Sequence, residues 1–257
     1  MKKVVISMMM TIFVCLFLSL NSFGQETVRL TNGEWPPYLS ENFKQYGVIS
    51  HIVAEAFSLE GIKVEYRFYP WKRSYEVAKD NEMDGSVIWA PTPERKKDFY
   101  FSDPVLSNKK VFFHLKSYPF EWKTVNDLKG IKIGVTRGYT YGDEFDKAVK
   151  EGRLQVDEVR SDELNFKKLL GGRFDGFPIE MDVGYYLINS KLTQEESKLI
   201  THHSLPIMET PLSLILSKKA EKNKRLLELF NRGLKRLKDS GKYDQYLDDS
   251  RQGKYKQ

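Results

Sequence analysis

Arg95 stands in the stretch VIWAPTPERKKDFYFSDPV, Val87 to Val105, where an apolar run gives way to Thr92-Pro93-Glu94 and returns through aromatic residues to Ser102-Asp103-Pro104. The spacing predicts a strand, a sharp turn, a short helical turn and a second strand, with Arg95 just inside the helical turn. A cation fixed at a strand end can hold an anionic ligand. The competing reading is a surface cation of the kind expected at Lys96 and Lys97. Other chemistry finds little support. His51, His114, His202 and His203 have no metal-ligand spacing, and GVTRGYTYG is not a GxGxxG phosphate loop. There is no nucleophile elbow and no Ser/His/Asp order. No cofactor and no metal site are expected.

The elements that must position Arg95 come from the hydrophobic periodicity. Ile49, Ile52, Val53, Ala56 and Phe57 recur at helical spacing and predict a helix that ends at Gly61. KVEYRFY alternates, with Val64, Tyr66 and Phe68 on one face of a half-buried strand. PWKRSYEVAKDNEMDG predicts a helix between Pro70 and Gly85, and GSVIWA a buried strand. From Asp127 the pattern runs again. GIKIGVT, LQVDEVR and RFDGFPIE predict strands, with helices over RGYTYGDEFDKAVKEG, DELNFKKLLGG and MDVGYYLINSK. KLITHH and PLSLILSK predict two more strands before a long amphipathic helix, KNKRLLELFNRGLKRLK, stopped by Gly241. Alternating strands and helices imply mainly parallel sheets with right-handed crossovers. Two such runs imply two lobes, joined by extended segments near Leu115–Tyr118 and Ser204–Pro211.

Composition bounds the class. Hydrophobic content of 40% with 30% charged residues fits a soluble globular chain of 257 residues with a proper core. Lys2 and Lys3 precede the apolar run VVISMMMTIFVCLFLSL, then NSFG, which predicts a signal peptide cleaved after Gly24; the alternative is an uncleaved anchor. Cys15, the chain's single cysteine, lies within that run, so the mature chain is expected to form no disulfide and to use no thiolate. The formal charge of +6 falls to +4 without Lys2 and Lys3. Spread along the chain, this balance serves solubility and does not indicate nucleic-acid binding.

The motifs MDGSVIWAPTPERKKDFYFSDPV, LKGIKIGVTRGYTYGDEF, GGRFDGFPIEM and SGKYDQYL, in this order across almost the whole mature chain, resemble the bacterial extracellular solute-binding proteins of family 3, the polar amino-acid receptors of ABC transporters. PWKR at Pro70–Arg73 resembles one proteobacterial branch of that family. The resemblance implies a type II periplasmic-binding-protein fold: two α/β lobes, each a mainly parallel sheet flanked by helices, two hinge strands and a ligand in the cleft. The expected division is a signal peptide at 1–24, a first lobe of 25–115 plus 211–257, and a second lobe of 116–210.

Carried over residue by residue, the resemblance implies that Arg95 pairs with a ligand carboxylate, for which a guanidinium offers a planar fork. Thr140 matches a hydroxyl on the same carboxylate, and Glu180 matches the acid that accepts the ligand's ammonium. Trp35 and Tyr38 match aromatic positions that cover the ligand. Trp89, Ala90 and Tyr139 complete the expected binding set. Read without the resemblance, Glu180 and Thr140 are ordinary residues at helix starts, and Trp71 and Trp89 are core. The family commonly has a hydroxyl residue where Ile88-Trp89-Ala90 stand. Arg137 and Arg73 add cations, and Phe177 adds to an aromatic and cationic pocket that leaves room for an aromatic or dicarboxylic ligand. The function implied is a monomeric, periplasmic, non-enzymatic binding protein serving a membrane permease or sensor, with a small amino acid or organic acid as ligand. The alternative is an enzyme of the cyclohexadienyl dehydratase type on the same fold, with Glu180 as general acid.

Overall fold

The computed structural model describes residues 25–256, so the expected signal segment, with Cys15, lies outside the described residues. Each of the two β/α runs builds one parallel group of strands. In the first, β1 (Thr27–Asn32) pairs in parallel with both β2 (Lys63–Phe68) and β3 (Gly85–Trp89). The crossovers are α1 (Val48–Ser58) and α2 (Trp71–Lys79). Ile49, Ile52, Val53, Ala56 and Phe57 are all buried, as their spacing requires. Lys63, Glu65 and Arg67 stay exposed along β2, an edge strand that its charges protect from further pairing.

In the second run, β5 (Ile133–Thr136) pairs in parallel with β6 (Val156–Val159) and reaches the start of β7 (Phe177–Glu180) through a parallel bridge from Ile133 to Gly176. After the short α3 (Pro93–Asp98) of the first lobe, the helices here are α4 (Asp143–Lys150), α5 (Asp162–Leu170) and α6 (Met181–Lys191).

Two long strands join the groups. β4 (Phe99–Leu115) and β8 (Ile200–Ser217) are antiparallel neighbours; β8 also borders β3, and β4 also borders β7. The sheet order is therefore β2-β1-β3-β8-β4-β7. Each long strand passes from one core to another. β4 gives Val105 and Leu106 to a core with Leu30, Ile52 and Phe230, then Val111, Phe112 and Phe113 to cores with Phe145 and Phe166. β8 gives Ile200 and Ile207 to the second side and Leu212, Leu214 and Leu216 to the first.

The separate strands expected over KLITHH and PLSLILSK are thus one strand of 18 residues. Its ladder is interrupted by register shifts, which bend and twist a strand locally. A short helix not expected from the periodicity, α7 (Gln194–Leu199), precedes it, started by the reciprocal cap between Thr193 and Glu196. The chain ends in α8 (Lys222–Asp239) and α9 (Lys242–Arg251), separated by Gly241 at φ 78°. α8 lies close against α1: a Cβ on Gly233 would sit 2.0 Å from the Ala56 carbonyl oxygen.

Candidate ligand-binding site

Arg95 is held by its own turn. Thr92 caps α3 by accepting the Arg95 backbone N–H at 3.2 Å. The guanidinium then folds back, with Nη1 donating to the Ala90 carbonyl at 2.8 Å and the cation 4.9 Å from the centre of the Trp89 ring. Among the described residues no carboxylate forms an ion pair with it, so most of its five donors remain for another acceptor. Trp89 is aimed by a bulge. The register of β3 against β8 shifts between Ser86 and Trp89, and the intervening Ile88 has φ 46°, a costly conformation for a β-branched residue. From Trp89 a chain of edge-on aromatic contacts leads through Trp71 at 5.4 Å and Trp35 at 6.5 Å to Tyr38 at 5.0 Å. Trp71, expected in the core, is partly exposed in the middle of this ladder.

The other pole lies on the second lobe. Glu180 ends β7 directly opposite Lys110 on β4. Lys110 Nζ is 3.5 Å from Glu180 Oε1 and donates to the Thr140 carbonyl at 2.7 Å. It also lies 5.5 Å from the Tyr139 ring centre and 5.3 Å from that of Tyr141. Asp162, the first residue of α5, accepts the Thr136 hydroxyl at 2.5 Å and the Tyr139 hydroxyl at 3.4 Å. Burial pushes the Asp162 carboxyl above the usual carboxylate range, against the pull of its Thr136 hydrogen bond; the neighbouring Glu180 pushes the same way. Burial, then Asp162 and Glu180, raise the Tyr139 phenol to about 12.

The lobes meet through Tyr38. Its buried hydroxyl donates to Asp182 Oδ2 at 3.1 Å and lies 3.3 Å from the side-chain oxygen of Asn108. Arg251 of α9 pairs with the other Asp182 oxygen at 2.7 Å. Beside this contact a cavity of about 370 Å³ is lined by Pro36 of the first lobe and by Thr136, Tyr139, Asp162 and Tyr186 of the second. A larger cavity of about 600 Å³ runs along the charged edge strand β2, away from Arg95 and Glu180.

Of the residues expected at the site, Arg95, Trp89 and Ala90 form one group with direct contacts. Glu180, Thr140 and Tyr139 form another around Lys110, Thr140 through its carbonyl. Thr140 is exposed and precedes α4 without capping it, since Gly142 stands at the cap. Trp35 is partly exposed, whereas Tyr38 is fully buried behind it. Phe177, expected among the pocket aromatics, is instead fully buried against Phe113 and Phe166. Arg137 is engaged by Glu158 at 2.6 Å, and Arg73 lies over Tyr69. Lys110, Asp162 and Asp182 were not anticipated. For Lys110 the sequence carries no local signal, since its partner Glu180 lies on another strand. For Asp162 the available signal was an acid opening a helix directly after a strand.

Two lobes of parallel strands joined by two long antiparallel strands, with a guanidinium that no carboxylate pairs among the described residues on one and an acid–base pair on the other, define a type II periplasmic-binding-protein fold. The sequence matches the bacterial extracellular solute-binding proteins, family 3, over residues 28–249, and the chain belongs to that family. It is similar to a probable histidine-binding protein of Campylobacter jejuni, 25% identical over 85% of this chain and 83% of that one. Among solved structures it is similar to an ancestral cationic amino acid solute-binding protein, AncCDT-1, with 25% identity, a TM-score of 0.65 and coverage of 87% of this chain and 94% of that one. The second substrate-binding domain of Lactococcus lactis GlnP, in its open conformation, shares the fold with a TM-score of 0.72 at 20% identity, over 88% of this chain and 96% of that one.

Proposed function

We propose that this chain captures a small carboxylate-bearing solute, an amino acid or a related compound, between its two lobes and delivers it to a membrane permease or reports it to a membrane sensor. The observation that carries this reading is the Arg95 guanidinium, fixed by the Ala90 carbonyl and the Trp89 face and paired with no acid among the described residues. In it, Arg95 grips the carboxylate, the Thr140 hydroxyl supports it, and Trp35, Trp89 and Tyr139 flank the ligand with Tyr38 behind. Glu180 and its surroundings receive the far end. The histidine-binding and cationic-amino-acid relatives support a ligand of this size and polarity. The dehydratase alternative draws no support from the family or from the Campylobacter jejuni relative.

The division expected at residues 115/116 is drawn earlier on β4, because Val111, Phe112 and Phe113 pack with Phe145 and Phe166 of the second lobe. The change of core on β4 between Leu106 and Val111, and on β8 between Ile207 and Leu212, argues for bending within those short spans. The protein acts as a monomer in the periplasm after cleavage near Gly24, a location supported by the extracellular character of the family.

Calorimetry tests the carboxylate anchor. Truncating one partner of a buried, hydrogen-bonded charge pair costs ~2–5 kcal/mol. Arg95→Ala should therefore weaken binding of the carboxylate ligand by roughly 30-fold or more, while Lys96→Ala, at an exposed neighbour, changes little. Equal affinities for the two variants would remove Arg95 from the site.

A further inference from the structure

The family resemblance reserves Glu180 for a ligand ammonium, yet in this chain a resident ammonium already stands there. Lys110 Nζ lies 3.5 Å from Glu180 Oε1, and both side chains are largely shielded, 10% and 14% exposed. The pairing is set by the backbone. Lys110 and Glu180 are cross-strand partners on β4 and β7, and the register of β4 against β8 shifts immediately after Lys110. Such a bulge re-aims a side chain and is a fixed feature of a ladder. The Thr140 carbonyl accepts a hydrogen bond from the ammonium at 2.7 Å, and the rings of Tyr139 and Tyr141 lie near the charge. Of three ammonium donors, one is spent on the Thr140 carbonyl, and with the charge paired to Glu180 a donor still remains for another acceptor.

We propose that Lys110 is a specificity-determining residue that occupies the ammonium position at Glu180, so that the cleft takes small organic acids without an amino group, dicarboxylates and oxo- or hydroxy-acids, in preference to their amino-acid counterparts. Arg95 holds one carboxylate, and Lys110 donates to an oxygen at the other end. An α-ammonium brought to Glu180 meets Lys110 at close range, a like-charge contact at a largely shielded pair. The inference rests on the reading of the cleft as a carboxylate site and specifies which carboxylates it selects.

The test is binding of matched pairs to the full mature chain by thermal shift and then calorimetry. The pairs are 2-oxoglutarate with glutamate, malate and succinate with aspartate, phenylpyruvate with phenylalanine, and imidazole lactate with histidine. The amine-free member of the pair that binds should be favoured by at least about tenfold, since like-charge juxtaposition costs several kcal/mol. Lys110→Gln should weaken the amine-free acid by a similar factor and narrow or reverse the preference, whereas Lys110→Arg, which keeps the cation, should retain it. An amino acid bound more tightly than its oxo partner by the wild type overturns the proposal, as does a preference unchanged in Lys110→Gln. If Lys110→Gln fails to fold, the wild-type preference and Lys110→Arg decide. Should neither series stabilise the protein, the carboxylate reading of the cleft fails and this inference falls with it. If amino acids bind through Arg95 irrespective of Lys110, the inference fails alone.

Discussion

Arg95 spends one donor on the Ala90 carbonyl and its flat face on Trp89, which leaves the rest of the fork for a ligand. That division of labour predicts the behaviour of a lysine in its place. An ammonium is a point donor without a stacking plane, so it cannot keep the Trp89 and Ala90 contacts and grip two carboxylate oxygens as well. Arg95→Lys should accordingly bind the carboxylate ligand with an affinity between those of wild type and Arg95→Ala. Full recovery in calorimetry would mean that only charge matters at this pole. The same residues show what a sequence reveals at this scale. Arg95 was legible because Thr92-Pro93-Glu94 specifies its cap and turn locally. Lys110 was not, since a lysine beside Lys109 in an alternating strand reads as solvated. Only the neighbouring strand, with Glu180 opposite, shows why it is inside. Asp182 was hidden for a like reason: its partners, Tyr38 and Arg251, come from distant parts of the chain.

Most helix positions followed from local periodicity, α7 and α9 excepted, but the distance between helices did not. Gly233 is the clearest case. In the interior of a helix, Gly→Ala ordinarily stabilises by about 0.5–1 kcal/mol. Here the added methyl would lie 2.0 Å from the Ala56 carbonyl oxygen, and backbone of α1 cannot swing aside as a flexible side chain would. Overpacking of this kind costs ~1–3 kcal/mol, which outweighs the propensity gain. Gly233→Ala should therefore lower the urea midpoint, and a raised midpoint would show that α1 and α8 separate freely. The long strands were the least legible elements for a different reason. Pro104, Pro206 and Pro211 and several register shifts break the period of two across β4 and β8, so each reads as fragments joined by loops. Pairing along most of their length restores what the alternation conceals.

For the whole molecule, two partly buried histidines set an acid limit. His202 titrates below its ordinary value chiefly through burial, with Arg251 and His114 adding to the effect and Asp182 opposing. Burial likewise lowers His51, with Glu55 opposing and Lys242 reinforcing. Between the depressed folded values and the ordinary value of about 6.5, the unfolded chain binds protons that the folded chain does not. Stability should therefore be fully present above about pH 6.5 and should decline as the pH falls through that window. Asp162, whose carboxyl is raised, acts in the opposite sense from the carboxylate range upward. Comparing the pH dependence of Tm for wild type and His202→Gln isolates the imidazole. The variant should show the shallower slope, and identical slopes would acquit His202. The way the cores share the chain has another consequence, which concerns time. Ribosomes release a protein from its N-terminus. By the time Ile207 has emerged, the cores containing Phe112, Phe113, Phe145 and Phe166 have almost all their members. The core around Leu30 and Ile52, although begun first, still lacks Leu212, Leu214, Leu216, Phe230, Leu234 and Leu237. The lobe that starts the chain is thus the last to close, and until then its apolar strands are exposed to whatever handles the nascent chain. A chain stopped at residue 221 should yield, under limited proteolysis, a protected fragment from the second lobe, while the first lobe is digested.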